Sequence, residues 1–336
     1  MNQVATVIKE KILVAGPMRF DAFMDLALYA PNLGYYQTQV GMSGKDFITA
    51  PEMGALYQDA LVDLIRYLGP ASDQLIEIGP GTGRLMQGLK TSLANDFKHY
   101  GLVETSETLI EAQKALLGKN IRHYELNAIP VKSTIIANEW LDAIPSRRIK
   151  YKDGQCFEGY VDLKNDQFCW CWQLTDDLFP HWPQHDGIYD IRDHHAILAP
   201  LTNAIEGSVM IIVDYGYHAK ELHYQPHLGD GLRGFCANQV VDDVLWNPGQ
   251  MDITSDVNFT ALAHACADLG WQVHAYFTQG HWIMDFLSRH QTRKDKPNEV
   301  KALTSPSEMG ERVRLLVIAD PKLKLPPVPY DGLARL

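Results

Sequence analysis

Apolar positions in the first 70 residues recur at helical spacing. Val4, Val7, Ile8 and Ile12 share one face, Gly16-Pro17 interrupts it, and Phe20, Phe23, Met24, Ala27 and Leu28 open a second face that ends at Pro31-Asn32-Leu33-Gly34. A polar, glycine-containing stretch with Tyr35, Tyr36 and residues 41–48 follows. Thr49-Ala50-Pro51-Glu52 then has the form of a capping box ahead of a helix with Leu56, Leu61, Leu64, Ile65 and Leu68 on its core face. From residue 74 the pattern changes. Short apolar runs at Gln74 to Ile78, Tyr100 to Val103, Ile121 to Tyr124, Thr134 to Ala137 and Val209 to Val213 alternate with helical periodicity. Two further runs close the chain, Trp271 to Phe277 and Val313 to Ala319, after a helix through Phe259, Leu262, Ala263, Cys266 and Leu269. Strand-helix alternation of this kind predicts an α/β fold: a mostly parallel, Rossmann-like seven-stranded sheet with helices on both faces.

Two interruptions stand out against that alternation. Residues 148–174 carry alternating apolar and polar positions broken at Asp153-Gly154 and Asn165-Asp166, which predicts a small antiparallel insertion. Residues 216–249 are rich in Gly, His and Pro and read as a long irregular loop, a type of segment that often closes over a site. The expected organisation is a helical extension and pocket cover over 1–70 and a main domain over 71–320, with insertions at about 146–207 and 216–250. A weakly ordered Pro-rich tail over 321–336 completes it.

Candidate chemistry concentrates at the carboxyl ends of the predicted strands, where open α/β sheets bind ligands. The first strand runs into Glu77-Ile78-Gly79-Pro80-Gly81-Thr82-Gly83, and Leu85, Met86, Leu89 and Leu93 follow at helical spacing. The glycines therefore fall on a strand-to-helix turn, where they allow positive φ and close approach of a ligand to backbone N–H groups. A dinucleotide fingerprint would place its third glycine at position 84, which is Arg84. That register disfavours a nicotinamide-dependent oxidoreductase. The pattern instead resembles motif one of S-adenosyl-L-methionine (SAM) methyltransferases of class I, in which Glu77 would lie near the methionyl part and Gly79, Gly81 and Gly83 beside the nucleoside. Glu104 ends the second strand about 20 residues past the glycines, the position from which a carboxylate accepts hydrogen bonds from ribose hydroxyls. Later strand ends add Asn127, the cluster Asn138-Glu139-Trp140-Leu141-Asp142, and Asp214. Asn138 or Asp142 capping a helix, and Asp214 or Glu52 doing no more than ending a strand or completing a cap, remain open.

Several blocks together resemble the MidA family of SAM-dependent methyltransferases, which includes a mitochondrial complex I assembly factor that methylates an arginine of a complex I subunit. They are Leu33-Gly34-Tyr35-Tyr36, Asp46 to Glu52, Glu77 to Gly83, Asn138 to Pro145, Asp214-Tyr215-Gly216 and Asp252 to Phe259. Two blocks depart from the family pattern. Leu56-Tyr57-Gln58 stands where a Phe-Gly pair is usual, and Asp230 to Asn238 keeps an Arg but has Asn238 where the family has a His. The final strand of such folds is expected to be antiparallel and at the sheet edge. The resemblance implies methyl transfer to an arginine of a partner protein, with Glu139, Asp142, Asp214 and Asn138 as catalytic candidates. SAM would be held by Glu77, Gly79, Gly81, Gly83, Glu104, Asn127 and Asn138. A complex I assembly-factor scaffold that binds SAM with little or no catalysis is the alternative.

Composition narrows the partners. The chain has 336 residues, 46% hydrophobic, with a net charge of −11 and no Lys/Arg-rich run, which argues against a nucleic-acid phosphate backbone and suits a basic protein surface. The expected partner is a protein substrate, a respiratory-complex subunit by resemblance, with a homodimer allowed and no membrane insertion, because no apolar run approaches the length of a span. Five cysteines form no C-x-x-C pair, and the histidines lack companions for a metal site, so no metal is expected. The first ten residues show neither a signal-peptide core nor an Arg-rich leader, and the expected compartment is the cytoplasm.

Overall fold

The computed structural model describes residues 2–38, 54–237 and 239–336, which divide into two compact units interleaved along the chain. The predicted capping box at Thr49–Glu52, the Asp46–Glu52 block and Asn238 lie outside the described residues. One unit, built from residues 54–140, 194–216 and 262–336, carries the main sheet. The other joins residues 2–38 to residues 141–193 and 217–261. It is called the insertion unit below.

In the sheet unit the strands are β1 (Gln74–Ile78), β2 (His99–Val103), β3 (Arg122–Tyr124), β4 (Thr134–Asn138), β5 (Val209–Tyr217), β6 (Gln272–Thr278) and β7 (Val313–Ala319). They pair in the order β6-β7-β5-β4-β1-β2-β3. The five strands from β5 to β3 are parallel to their neighbours. β7 is antiparallel to both β5 and β6, so the antiparallel strand sits inside the sheet and β6 forms the edge. The edge position expected for the last strand is therefore corrected. The reason is in the residues: all seven side chains of β7, from Val313 to Ala319, are buried, and a continuous apolar run of that kind belongs between two neighbours.

Three helices position the site. α1 (Ala55–Leu68) buries Leu56, Tyr57, Leu61, Leu64, Ile65 and Leu68. Its first turn is closed by a distant carboxylate, since the Leu56 amide donates to Glu299 at 2.8 Å. α2 (Arg84–Ser92) buries Leu85, Met86 and Leu89, and α3 (Glu107–Leu117) starts at Ser106, whose hydroxyl accepts from the Leu109 amide. The last 16 residues are not a loose tail. Val328 joins the apolar core, with Leu323, Leu325 and Tyr330 packed against it.

The insertion unit contains the predicted meander. Arg147–Lys152, Gln155–Lys164 and Gln167–Leu174 pair antiparallel through two-residue turns, and Asp153, Gly154, Asn165 and Asp166 all have positive φ, as such turns require. Gly187–Ile191 extends this sheet on one side and Met18–Arg19 on the other. Helices Gln3–Ala15 and Phe20–Tyr29 bury the two predicted apolar faces in a core shared with Val161, Leu245, Met251 and Ile253. Residues 216–249, expected to be irregular, instead hold a helix at Ala219–Tyr224 and a hairpin of Arg233–Cys236 with Gln239–Val241, to which Asp252–Thr254 pairs. Elements this short carry no readable periodicity. No described helix is long and apolar enough to cross a membrane.

Candidate functional site

The strand ends of the sheet unit bring most of the candidate residues together. After β1 the chain turns through Gly79, Gly81 and Gly83, all at positive φ, and enters α2 with left-handed Gly83 as its N-cap. Gly81 is the informative position: at φ +52° a Cβ there would meet no heavy atom within 4 Å. The loop is thus open on the side where a ligand would lie against backbone. At Gly83 a Cβ would instead press on Leu117 at 3.2 Å and Gln113 at 3.4 Å, so glycine is needed there for packing against α3.

Glu77 is buried inside β1, with Leu102 and Ile136 as its register partners on the flanking strands. One carboxylate oxygen, Oε2, has no hydrogen-bond partner. Burial pushes its pKa up to about 8, and the Met86 amide, on the first turn of α2, opposes that only in part. A buried carboxyl with an unsatisfied oxygen beside a glycine loop is a site prepared for a cationic or hydrogen-donating ligand.

Glu104 is fixed by hydrogen bonds on both oxygens. Its Oε1 accepts from the Thr105 and Ser106 amides at 2.8 and 2.9 Å, and its Oε2 from Gln113 Nε2 at 3.3 Å. Burial raises its pKa while these three hydrogen bonds oppose the rise. Gln113 also donates to the Gly81 carbonyl at 2.7 Å, and its Oε1 lies 2.8 Å from His123 Nε2. It therefore ties the glycine loop to Glu104. Sequence reading missed Gln113, although a clue existed: it lies on the buried face of α3 between Leu109 and Leu117.

Across β4 and β5 the polar residues converge. Asn138 ends β4 opposite Val213, and the Glu139 amide donates to the Val213 carbonyl at 2.8 Å. Glu139 has φ +48°, an uncommon value for a non-glycine residue and one found often at functional sites. Asp214 is fully buried and lies within β5, which continues to Tyr217, so it does not merely terminate the strand. Its Oδ1 accepts from the Tyr215 amide at 2.8 Å. Tyr57 of α1 is the second residue that sequence reading missed as a site residue. Its hydroxyl donates to Asn138 Oδ1, and burial together with the charges of Glu139, Glu77 and Asp214 raises its pKa far above the usual phenol range. Asn127 is exposed on the 3-10 turn Leu126–Ala128 after β3.

Asp142 belongs to the insertion unit, in the turn that follows β4. No helix begins between residues 139 and 146, so neither Asn138 nor Asp142 caps one. Asp142 is buried, and its pKa is pushed up to about 6 by burial, partly offset by the Arg192 charge. Arg192, also unforeseen, donates to the carbonyls of Ile144 at 2.8 Å, Asp142 at 2.5 Å, Ser255 at 3.0 Å and Asp256 at 3.3 Å. Arg233 makes a two-pronged pair with Asp256, both contacts at 2.9 Å. Tyr36 donates to Asp252 at 2.7 Å. Residues of the sequence blocks 33–36, 138–145 and 252–259 thus take part in these polar contacts.

A model of a family described as S-adenosyl-L-methionine-dependent methyltransferase matches residues 59–277. Among curated proteins, the chain is 28% identical to the mitochondrial protein arginine methyltransferase NDUFAF7 homolog of Caenorhabditis elegans, over 80% of this chain and 72% of that protein. It is 26% identical to the mitochondrial protein arginine methyltransferase NDUFAF7 of Homo sapiens, over 92% and 81%. A Burkholderia thailandensis protein solved with S-adenosyl-homocysteine bound superposes with a TM-score of 0.80 at 24% identity, covering 98% of this chain and 92% of that one. A native structure of a Burkholderia thailandensis protein gives a TM-score of 0.83 at 24% identity, covering 99% and 96%. At that identity these two structures speak to the fold, which is the Rossmann-like α/β fold expected. The cytoplasmic expectation does not stand, because the curated relatives are named as mitochondrial proteins.

Proposed function

The chain belongs to the S-adenosyl-L-methionine-dependent methyltransferase family matched over residues 59–277, and from that premise we propose that it methylates an arginine of a partner protein. When bound, S-adenosyl-L-methionine supplies an electrophilic methyl group. The residues present fit it: an open glycine loop, an unsatisfied buried Glu77 oxygen and a Glu104 carboxylate fixed by backbone amides. We assign Gly79, Gly81 and Gly83 to the nucleoside, Glu104 to the ribose, and Glu77 to the methionyl end. Asn127 and Asn138 complete the proposed cofactor set.

The observation that carries the acceptor reading is the placement of Glu139, directly after β4, and Asp214, in β5, at adjoining positions next to the Asn138 side chain that Tyr57 holds. A guanidinium stays protonated under ordinary conditions and is a weak nucleophile while its electrons are delocalised. Carboxylates that grip one edge of its fork localise charge there and aim the remaining nitrogen. Glu139 and Asp214 are the proposed grips, and Asp142 is kept as a third candidate. The relatives' names support arginine as the acceptor, and they support a respiratory-complex subunit as client through the mitochondrial setting they share. A scaffold without catalysis is not favoured by them.

Purified protein incubated with methyl-labelled SAM and a lysate of the host lacking the gene should label a protein band whose modified residue, by mass spectrometry, is arginine. Glu139→Gln and Asp214→Asn should each lower the initial rate on the order of a hundredfold while SAM still binds by calorimetry. Asp142→Asn, measured alongside, assigns that residue to the chemistry or to structure. Labelling of lysine or of a small molecule would refute the arginine assignment. Sedimentation velocity on the same sample tests the homodimer.

A further inference from the structure

We propose that Tyr57 is a positioning residue that locks the Asn138 carboxamide in one orientation and thereby sets Glu139, leaving Asn138 as a donor toward that carboxylate and not as a group that grips the acceptor. This rests on the methyltransferase reading of the site. A carboxamide carries its acceptor on one arm and its donors on the other, and without a neighbour to choose between them the two flips are close in energy. Tyr57 chooses. Its hydroxyl donates to Asn138 Oδ1, which turns Nδ2 the other way, toward Glu139 Oε1 at 3.4 Å.

The choice is firm because Tyr57 itself has no freedom. The ring is fully buried on α1 and stands edge-on to Trp282, with centroids 5.4 Å apart and an interplanar angle of 83°. Ionisation would remove the donated proton, and burial beside Glu139, Glu77 and Asp214 opposes it. Glu139 in turn needs support: its backbone at φ +48° is strained in an L-residue and persists only where neighbours impose it. The Val213 carbonyl holds its amide and Asn138 reaches its carboxylate. Phenylalanine at this position would fill the same space and could not donate.

Two measurements on the full chain test this. In ligand-free protein with 15N-labelled asparagine, the Asn138 side-chain NH2 pair, assigned by its loss in Asn138→Ala, should be dispersed and slow to exchange. Tyr57→Phe should move it toward the values of a free carboxamide. With labelled SAM at saturation and the host lysate as acceptor, Tyr57→Phe should lose about tenfold in initial rate. Tyr57→Phe combined with Asn138→Ala should be no slower than Asn138→Ala alone, because both act through one carboxamide. An unmoved NH2 pair, a wild-type rate in Tyr57→Phe, or losses that multiply in the double variant each overturn the inference. If the wild-type protein itself transfers no methyl group, the proposed function fails instead, and the NMR comparison alone decides whether Tyr57 holds Asn138.

Discussion

Glu77 is where fold and chemistry pull in opposite directions. A carboxyl inside a buried strand, with one oxygen unsatisfied, is tolerated by the ligand-free chain mainly in its protonated form, and its pKa of about 8 against an ordinary 4.5 expresses that. The sign for stability follows. The folded state holds the proton more tightly than the unfolded state, so the stability this group contributes is complete below about pH 4.5 and is lost as pH rises through about 8. Glu77→Gln should therefore flatten the fall in melting temperature of the ligand-free protein between about pH 4.5 and 8. Binding of a cationic ligand beside it should release a proton near neutral pH. Calorimetry of SAM in two buffers of different ionisation heat reads that proton in the wild type and should find it missing in Glu77→Gln, along with most of the affinity. A pH profile unchanged by the substitution would place the titration elsewhere. Gly81 makes the complementary case. Aspartate tolerates left-handed backbone better than most residues and a Cβ here meets nothing, so Gly81→Asp should cost the fold about 1–3 kcal/mol while its side chain occupies the loop's open face and abolishes SAM binding.

Elements were legible where their signal is local. The strands of the parallel sheet, the breaks at Asp153-Gly154 and Asn165-Asp166, and both amphipathic N-terminal helices follow from periodicities that a window of a dozen residues contains. The glycine loop and Glu104 were visible for the same reason. What escaped were polar residues whose partners are distant in the chain: Tyr57 meets Asn138 across 81 positions, Gln113 meets Gly81 across 32 and Arg192 meets the Asp142 carbonyl across 50. Such residues look like isolated polar positions until the fold supplies the other half. Arg192 shows what one of them is worth. One guanidinium donates to carbonyls from the turn at residues 142–144 and the segment at residues 255–256, which are also joined by the Ser255 amide donating to the Asp142 carbonyl at 3.0 Å. Arg192→Met should lower unfolding stability in urea by on the order of 3 kcal/mol, and Arg192→Lys should recover little of it, because one ammonium cannot reproduce the fork. A loss below about 1 kcal/mol would show that the two segments hold their shape without it.

At the level of the whole sheet unit, the exposed edge of β6 poses a problem that the last 16 residues answer. An unpaired edge strand offers its N–H and C=O groups to other chains and invites aggregation. Here the Tyr276 amide donates to Asp331 at 2.9 Å, the Gly332 amide donates to the Tyr276 carbonyl at 2.5 Å, and the His274 ring meets the Pro326 carbonyl at 2.8 Å. Prolines suit the task, since they cover an edge without offering a new row of donors. Apolar contacts add to it: Tyr330 stands edge-on to Phe277 at 4.8 Å, and Val328 is buried in the core. Ending the chain after Asp320 should therefore do two separable things. It should lower stability by about 3–6 kcal/mol through lost burial of Leu323, Leu325, Val328 and Tyr330. It should also make the protein associate with rising concentration, as light scattering reads it, because β6 is then bare. Tyr330→Ser in the full chain separates the two, since it removes packing while leaving the edge covered, and it should melt earlier without associating. A truncated chain that stays monomeric, or a Tyr330→Ser variant that aggregates as the truncated one does, would break the link between these residues and edge protection.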